Sequence, residues 1–407
     1  MIAKEGTMEK IYDIIIWGAS GFTGRLAVDY IYKNQNNSNL TWAVAGRNES
    51  KIKEIIDGKN IPILIADSHD KESLVELVKK TKVILTTVGP YARYGSELVE
   101  ACAENGTHYC DLTGEVHWMR HMITKYQNTA KESGAKIVHT CGFDSIPSDI
   151  GVYFLQKNMR ELHGVNAKQI KYRTRGFSGG ASGGTVDSLM SMMEQAKKDS
   201  SILKIIANPY ALNDKDKGLD GPDKMSPYFD KDFDAWVGPF IMAGINTRVV
   251  RRTNELLNNI YGDNFEYNEG SITGKGPKGL IGATTSGMVT GGMAGMAAFS
   301  PTRSILKSFL PKPGEGPSEE TMENGFFEIE LLGIHPTDRD KDMRVWIHGD
   351  KDPGYKSTAK MISESAMALA QDDLSVGGGF WTPASAMGDT LINRLPNAGV
   401  TFKIMDS

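Results

Sequence analysis

The sequence predicts an α/β protein whose first 150 residues form a Rossmann-like, doubly wound parallel sheet. Six short apolar segments rich in Ile, Val and Leu recur between residues 12 and 140, with helical patterns between them. The first segment runs directly into a glycine-rich turn. Strands alternating with helices build a parallel sheet covered on both faces. Ligands of such sheets bind beyond the carboxyl ends of the strands.

The first strand and the turn after it predict a dinucleotide site. The strand Tyr12–Trp17 is apolar enough to be buried on both faces, and its turn carries glycines in the spacing GxxGxxG. Gly18 permits the tight turn, Gly21 lets the backbone approach a pyrophosphate, and Gly24 allows the next helix to pack closely. A turn without a ligand is the alternative. The expected cofactor contacts are Gly18, Ala19, Ser20, Gly21, Phe22, Thr23 and Gly24.

The end of the second strand, residues 40–45, indicates which dinucleotide binds. An NAD site normally carries Asp or Glu here, to bind the ribose 2′-hydroxyl. This chain has Arg47 instead, with Lys51 one helical turn further on. A guanidinium suits a 2′-phosphate because its planar fork makes two charge-assisted bonds. We therefore predict NADP as the cofactor, the alternative being a solvated surface arginine.

The remaining strands add further cofactor candidates. Asp67 follows the third strand, where its carboxylate could accept a bond from the adenine amino group; capping of the next helix is an equal alternative. The fourth strand ends in three residues expected beside the cofactor: Val88, Gly89 and Pro90. Strands three to six are predicted at residues 61–66, 83–88, 109–112 and 137–140.

Several motifs together resemble a known family. Five of them occur in order through the first 150 residues: GASGFTGR, AVAGRN, TTVGPYARYG, YCDLTGE and CGFDSIPSD. Three more follow: SGGT at 182–185, LPKPGEGPSEE at 310–320 and TPASAMGD at 382–389. The chain resembles the saccharopine dehydrogenase-like oxidoreductases over nearly its whole length, in particular their trans-acting enoyl reductase branch. The amino-acid-binding pattern of saccharopine reductase itself is not visible.

The resemblance implies an NADP-binding Rossmann domain followed by a second α+β domain built on an antiparallel sheet. The sequence agrees, since residues 326–334 and 343–348 alternate as the strands of a hairpin. We expect a nucleotide domain at 8–148 and a substrate and oligomerisation domain at 149–380. A C-terminal segment, 381–407, is expected to return to the nucleotide domain.

The function that the resemblance implies is NADPH-dependent transfer of a hydride to a C=C bond of a hydrophobic, lipid-like enoyl substrate. Two alternatives stay open. One is a dinucleotide-binding scaffold, associated with membrane or lipid, that does little catalysis. The other is C=N reduction of the saccharopine reductase type. Oxidation of NADPH in the presence of enoyl substrates distinguishes the enoyl reductase hypothesis from the scaffold hypothesis.

Hydride addition to an enoyl group also needs a hydrogen-bond donor and a proton source. Tyr91 and Tyr94, after the fourth strand, and Asp111, after the fifth, are the predicted catalytic residues. Ring packing is the alternative for the tyrosines, and capping or loop bonding is the alternative for Asp111. Glu115 and Asp144 occupy similar positions, where a structural role, such as a helix N-cap near Asp144, is favoured.

Two glycine-rich segments suggest contact surfaces. The turn 178–185 precedes a helix and could hold an anion, the alternative being a flexible connection. Residues 279–302 carry no charge but are poor in large aliphatic side chains for a membrane span. We expect a lid or interfacial element there, with Arg303, Lys307 and Lys312 touching an anionic lipid surface. A mobile loop or an oligomer contact is the alternative.

Composition excludes several classes of protein. The chain has 407 residues, enough for two domains, and its net charge of −4 argues against a nucleic-acid partner. The three cysteines lack the number and spacing of a disulfide framework or a zinc site, and no metal site or hydrolase motif is visible. We expect a cytoplasmic protein with a small lipid-like substrate. Peripheral membrane contact and a homodimer are further expectations.

Overall fold

Within the residues that the computed structural model describes, two seven-stranded sheets are covered by helices. The structure describes residues 10–179, 183–215, 218–298, 302 and 316–405. The first sheet includes the strand that leads into the predicted dinucleotide turn, and the second sheet includes the predicted hairpin. The predicted dinucleotide site therefore belongs to the first sheet.

The first sheet is parallel throughout. Its strands are β1 Tyr12–Trp17, β2 Trp42–Gly46, β3 Ile63–Ile65, β4 Thr81–Thr86, β5 His108–Cys110, β6 Lys136–Val138 and β13 Gly379–Trp381. Their order across the sheet is β13-β6-β5-β4-β1-β2-β3. The connecting helices are α1 Phe22–Ser38, α2 Glu49–Ile55, α3 Lys71–Val78, α4 Tyr91–Tyr94, α5 Ser96–Glu104 and α6 Val116–Ser133. The predicted doubly wound sheet is confirmed, with β13 added at its edge.

Strand β1 shows why the sequence forms this layer. Its side chains alternate between two cores, so that Ile14 and Ile16 pack with residues of α1 and α2. Ile15 and Trp17 face the opposite side and pack with residues of α3 and α5. All four side chains are buried. A continuous apolar run is therefore required, because neither face of the strand meets water.

The second sheet is mixed. Its strands are β7 Gln169–Ser178, β8 Tyr228–Asp230, β9 Ala235–Gly238, β10 Glu266–Gly274, β11 Phe326–Ile334, β12 Met343–Gly349 and β14 Val400–Ile404, in the order β14-β12-β11-β7-β10-β9-β8. The predicted hairpin is present as β11 and β12. The sheet departs from the antiparallel expectation at one pair, β7 with β10, which is parallel. A long connection with helices of its own separates these two strands, as parallel pairing requires.

Helices of the C-terminal part bring the two sheets together. The helices after β6 are α7 Ile146–His163, α8 Gly183–Lys198, α9 Ser201–Ala207, α10 Ala243–Leu256, α11 Gly276–Ala298, α12 Glu319–Glu323, α13 Lys356–Gln371 and α14 Pro383–Arg394. Helix α13 packs on α1 and on strands β1, β4 and β5 of the first sheet. Helix α14 packs on α7 and α13, whereas β14 pairs with β12 in the second sheet. The domain boundaries stay predictions.

The uncharged stretch forms most of α11, and its small residues have two different environments. Small residues recur every four positions at Ala283, Gly287, Gly291 and Gly295. Ala283 is buried beside β9, and Gly287 faces Pro239, so the first two of these small residues pack within the chain. Ile281 and Met288 are each 66% exposed. Among the described helices, none is long and apolar enough to cross a membrane. The basic residues predicted to touch lipid lie outside the described residues: Arg303, Lys307 and Lys312.

Candidate active site

The strand order places a ligand crevice next to β1. From β1 the chain winds outward through β2 and β3, then returns to β4 on the opposite side of β1. Such a reversal leaves a crevice beyond the carboxyl ends of the strands, because the loops after β1 and β4 diverge there. The glycine turn after β1 and the segment after β4 both lie at this point.

The glycines of the turn have the close contacts that a dinucleotide turn needs. Gly18 has a φ of 90°, and a Cβ built on it would lie 2.4 Å from Cγ2 of Val88. A Cβ on Gly24 would lie 2.1 Å from the carbonyl oxygen of Gly18. Gly21 is at the N-cap of α1 and has no side chain with which to cap it. The first amides of α1 are therefore left for an anionic group such as a pyrophosphate.

Basic side chains lie where a 2′-phosphate would be expected. Arg47 directly follows β2 and is exposed, and the amide of Lys51 donates to Oδ1 of the capping residue Asn48 at 3.0 Å. Neither basic side chain pairs with a carboxylate within the described parts of the chain. The neighbouring Lys53 does pair, with Glu49 at 2.7 Å. Two uncommitted cations beside a glycine cradle fit NADP better than NAD.

Asp67 lies in the loop after β3 and does not cap α3. Its Oδ1 accepts from the amide of His69 at 3.0 Å, and its own amide donates to Oγ of Ser73 at 3.1 Å. The N-cap of α3 is Asp70, which accepts from the amides of Glu72 and Ser73. The capping alternative for Asp67 is therefore wrong. Its bond to adenine stays a prediction.

The segment after β4 runs beside the glycine turn. The Val88 side chain occupies the space that a Cβ on Gly18 would need. Oγ1 of Thr87 donates to the Gly18 carbonyl at 3.4 Å. Pro90 is the N-cap of the short helix α4, and Gly89 comes directly before it. The structure thus brings the predicted Val88, Gly89 and Pro90 together with the predicted turn. Their contacts with the cofactor stay predictions.

Tyr91 is buried beneath the crevice. Its hydroxyl donates to the carbonyl of Thr86 at 3.3 Å and accepts from the amide of Leu112 at 3.1 Å. Burial, together with nearby carboxylates, raises the pKa of its phenol well above the ordinary value. These contacts tie the end of β4 to the end of β5, and they favour a structural role over proton donation.

Tyr94 lies toward the adenosine half of the crevice. Its ring contacts the ring of His69, with centroids 5.6 Å apart, and His69 follows β3. That is the side of β1 on which Arg47 lies. The nicotinamide half of a dinucleotide extends to the other side, over β4, β5 and β6. This position favours ring packing for Tyr94 rather than contact with the reacting atoms.

Asp111 is the centre of a buried hydrogen-bond network. Its Oδ2 accepts from the Tyr109 hydroxyl at 2.9 Å and lies 2.7 Å from Nδ1 of His139. Its Oδ1 accepts from the amides of Thr113 and Thr140, each at 3.1 Å. A carboxylate bonded on both oxygens holds the ends of β5 and β6 together. The catalytic roles of Tyr91, Tyr94 and Asp111 stay predictions, but these contacts do not favour them.

Glu115 links the crevice to the second domain. One of its oxygens accepts from the amide of Tyr91 at 2.8 Å and from the Ser188 hydroxyl of α8 at 2.9 Å. The other accepts from the amide of Ala92 at 3.0 Å. The carboxylate therefore binds the first amides of α4 and also fixes α8 beside the crevice. Sequence reasoning did not single out Ser188, because only the fold brings it to Glu115.

Asp144 differs from the other acids at this end of the sheet. It lies after β6, one residue before Ser145, which occupies the N-cap of α7. Asp144 is partly exposed and makes no hydrogen bond or ion pair within the described parts of the chain. Although part of the residue is exposed, protein atoms surround the carboxyl, and this burial raises its pKa to about 7. Its position after a strand indicated a functional role in the sequence, but the sequence interpretation favoured a helix cap near this residue.

The glycine-rich turn 178–185 is only partly described. Ser178 ends β7, whereas residues 180–182 lie outside the described residues. The predicted anion site in this turn stays a prediction.

Comparisons with known proteins decide the family. The saccharopine dehydrogenase NADP binding domain matches residues 14–138, which run from within β1 to the end of β6. A Mycobacterium tuberculosis (strain ATCC 25618 / H37Rv) protein, named among the trans-acting enoyl reductases, is 37% identical over 415 residues, which cover 96% of this chain and 97% of its own. The chain belongs to the trans-acting enoyl reductase branch of the saccharopine dehydrogenase-like family. A trans-acting enoyl reductase of Mycobacterium ulcerans (strain Agy99) is 35% identical over 413 residues, with 96% and 97% covered.

This enoyl reductase family member is an NADP-dependent oxidoreductase. Its fold is similar to that of apo saccharopine dehydrogenase (L-Glu forming) from Saccharomyces cerevisiae, with a TM-score of 0.56 over 97% of this chain and 99% of that one. At 13% identity the likeness concerns the fold alone. The glycine cradle and the two free cations agree with NADP as the cofactor.

Proposed function

We propose that this enzyme uses NADPH to reduce the C=C bond of an α,β-unsaturated thioester that carries a hydrophobic, lipid-like chain. The near full-length similarity to proteins named trans-acting enoyl reductases carries the proposal. The NADP-binding crevice, with Arg47 at one end and partly exposed Asp144 at the other, supports it. A conjugated C=C bond accepts hydride at the β carbon, and the negative charge then moves to the carbonyl oxygen.

Apolar surface beside the crevice supports a hydrophobic substrate. Helix α8, fixed to the crevice through Ser188, presents a row of apolar side chains toward α11. This methionine cluster has Met190 and Ala297 buried at its centre, with partly buried side chains around them: Leu189, Met193, Met293 and Met296. Methionine side chains adapt to the shape of a flexible chain, because they are unbranched and polarizable. An acyl chain that leaves the crevice along α8 would meet this surface.

The test is NADPH oxidation by the purified protein with thioesters that differ only in the acceptor bond. We expect oxidation with a trans-2-enoyl thioester and none with the saturated thioester of equal length. Oxidation only with an imine formed from an amino acid and an aldehyde would replace the proposal by C=N reduction. Tight NADPH binding without turnover of either acceptor would indicate a scaffold.

We also propose that the exposed face of α11 contacts a membrane surface peripherally, in a cytoplasmic setting. Ile281, Met288 and Val289 leave much of their apolar area in water, and no charged side chain lies between Gly279 and Ala298. Large exposed apolar patches usually mark an interaction site. A second copy of the chain, giving a homodimer, is the other partner to test.

Flotation with anionic liposomes tests this surface. The wild type should float, the double variant Ile281→Glu and Met288→Glu should stay in solution, and Leu203→Glu should float. Leu203 is a matched control because it is exposed on a different helix, α9. Absence of the wild type from the liposome fraction would overturn the membrane contact. Loss of a dimer in the double variant by light scattering would assign the face to a second copy.

A further inference from the structure

We propose that Asp144 is the proton donor of the reaction, delivering its proton to the α carbon of the substrate. This inference rests on the proposed function, because an enoyl acceptor is what creates the need for an α proton. It assigns a catalytic role to a residue that the sequence interpretation had placed near a helix cap.

Asp144 lies at the correct end of the crevice. The glycine turn from Gly18 to Gly24 holds the pyrophosphate, and Arg47 marks the adenosine half on the β2 side. The nicotinamide half must then extend over β4, β5 and β6. Asp144 follows β6, and its Oδ2 lies 3.9 Å from where a Cβ on Gly114, after β5, would stand. Gly114 has no side chain there to cover the carboxyl.

The residues around Asp144 hold it firmly in place. The amide of Phe143 donates to Oγ1 of Thr358 at 3.0 Å, which attaches the loop to α13. The Phe143 ring packs edge-on against Phe327 of the second sheet, with centroids 4.9 Å apart. On the other side, the Ser145 hydroxyl donates to Oδ1 of Asn246 in α10 at 3.1 Å. The carboxyl is therefore positioned where both sheets meet, without using its own oxygens.

The other acids and the phenol at this end have no comparable freedom. Asp111 is bonded on both oxygens, Glu115 accepts three hydrogen bonds, and the Tyr91 hydroxyl is bonded to two backbone groups. On α7, Asp149 accepts from the Thr253 hydroxyl and from a backbone amide. A group whose oxygens all take part in hydrogen bonds cannot release a proton to a substrate without breaking some of those hydrogen bonds. Asp144 can do so at no such cost.

The proton affinity of Asp144 suits a general acid. Burial of its carboxyl raises the pKa to about 7, so a substantial fraction carries a proton at neutral pH. Tyr91 is near enough for the charge of Asp144 to help raise the pKa of the phenol. Across α10, buried Glu269 accepts from Nδ2 of Asn246 at 3.0 Å and so is itself engaged. Among these described acids, Asp144 is the one whose carboxyl oxygens carry no hydrogen bond.

Reduction of the C=C bond adds a hydride at the β carbon and a proton at the α carbon. NADPH, when bound, would supply the hydride for the new C–H bond at the β carbon and would become NADP⁺. The π electrons of the substrate move toward the thioester carbonyl, giving an enolate. The O–H bond of Asp144 then breaks as the α carbon takes the proton, and water returns a proton to the carboxylate. The C=C bond is reduced, and Asp144 is unchanged after each turnover.

The experiment compares Asp144→Asn with Asp389→Asn, a surface control whose carboxylate pairs with Lys157 at 2.7 Å. We expect Asp144→Asn to lower kcat/KM for a trans-2-enoyl thioester by about 10²- to 10⁴-fold, with the NADPH Kd within twofold of wild type. The wild-type rate should fall as pH rises through about 7, because the acid loses its proton. Asp144→Glu should recover part of the rate.

A second readout does not depend on activity. Carbon-13 NMR of protein labelled at the Asp carboxyl carbon, without cofactor, should show a resonance that titrates near pH 7 and is missing in Asp144→Asn. Activity of Asp144→Asn within threefold of wild type, with the same pH profile, would overturn the role of Asp144 alone. A parallel loss of NADPH binding would make the residue structural. A wild type that binds NADPH but reduces no enoyl thioester would overturn the proposed function, and this role with it.

Discussion

Replacing Gly24 by alanine should disrupt the cofactor site from within. The new Cβ would lie 2.1 Å from the carbonyl oxygen of Gly18, 2.9 Å from its carbonyl carbon and 3.1 Å from Cα of Ala19. Real Cβ atoms essentially never come closer than 3.0 Å to another heavy atom, so α1 and the turn must separate by about 1 Å. All three obstructing atoms are backbone, and no side-chain rotation can relieve the contact.

The expected loss follows from that displacement. Overpacking of this kind costs about 1–3 kcal/mol of the unfolding free energy. A shift of about 1 Å also misaligns the amides that would bind the pyrophosphate, so the NADPH Kd should rise at least about tenfold, or about 1.4 kcal/mol. Urea denaturation measures the first quantity, and NADPH fluorescence titration measures the second.

Gly291→Ala is the matched control, since it also adds a methyl group to a helical glycine. A Cβ there would meet no described atom within 4 Å, so helix propensity should stabilise the variant by about 0.5–1 kcal/mol. NADPH affinity should stay at the wild-type value. Gly24→Ala with wild-type stability and wild-type affinity for NADPH would refute the argument that the turn must approach α1 this closely.

Three further predictions concern single side chains. Arg47→Ala should weaken NADPH binding by about 2 kcal/mol, roughly 30-fold, and leave NADH binding unchanged in fluorescence titrations. Lys53→Ala, which removes a lysine already paired with Glu49, is the control. Equal losses of affinity for NADPH and NADH in Arg47→Ala would contradict the proposed contact between Arg47 and the 2′-phosphate. Tyr91→Phe removes a hydroxyl that bonds two backbone groups, so it should lower the unfolding free energy by about 1–3 kcal/mol and change kcat less than threefold. A hundredfold loss of kcat at unchanged stability would instead make Tyr91 the proton donor of the reaction. Burial raises the pKa of Asp149 to about 7, so the folded state binds the extra proton, and the unfolding free energy should fall between about pH 4 and pH 7. In urea denaturation, Asp149→Asn should make the unfolding free energy fall less steeply between about pH 4 and pH 7. An unchanged pH dependence would refute the raised pKa of Asp149.

The first sheet could be predicted well from the sequence because each of its features is encoded by residues that are close together in the chain. A strand buried on both faces, such as β1, has to be a continuous apolar run, and the turn after it needs glycine at 18 and 24 for steric reasons. The NADP assignment could be predicted for the same reason, since Arg47 directly follows β2. Each of these features depends on a few consecutive residues.

The orientation of the acidic and phenolic side chains could not be predicted in this way. Asp111 and Asp144 both follow strands, yet Asp111 is bonded on both oxygens and Asp144 is not bonded within the described residues. Asp111 bonds to His139 and Thr140 in the segment after β6, whereas Asp144 faces Gly114 in the segment after β5. Likewise, Ser188 reaches Glu115 across 73 positions of the chain. Contacts of this range follow from the tertiary fold and leave no periodic signal.

Helix α13 has a consequence for the order in which the chain can fold. Ile14, Ile16, Val83 and Leu85 of the first sheet share one core with Met361 and Ile362 of this helix. A fragment comprising residues 1–150 therefore leaves the part of this face over β4 and β5 exposed to water, because α13, which covers it, lies more than 200 residues further along the chain. We expect that fragment to aggregate when it is expressed alone, and the domain to become soluble when residues 356–381 are restored. The NADP-binding sheet of this enzyme is thus completed only when α13 has been made, more than 300 residues after its binding turn.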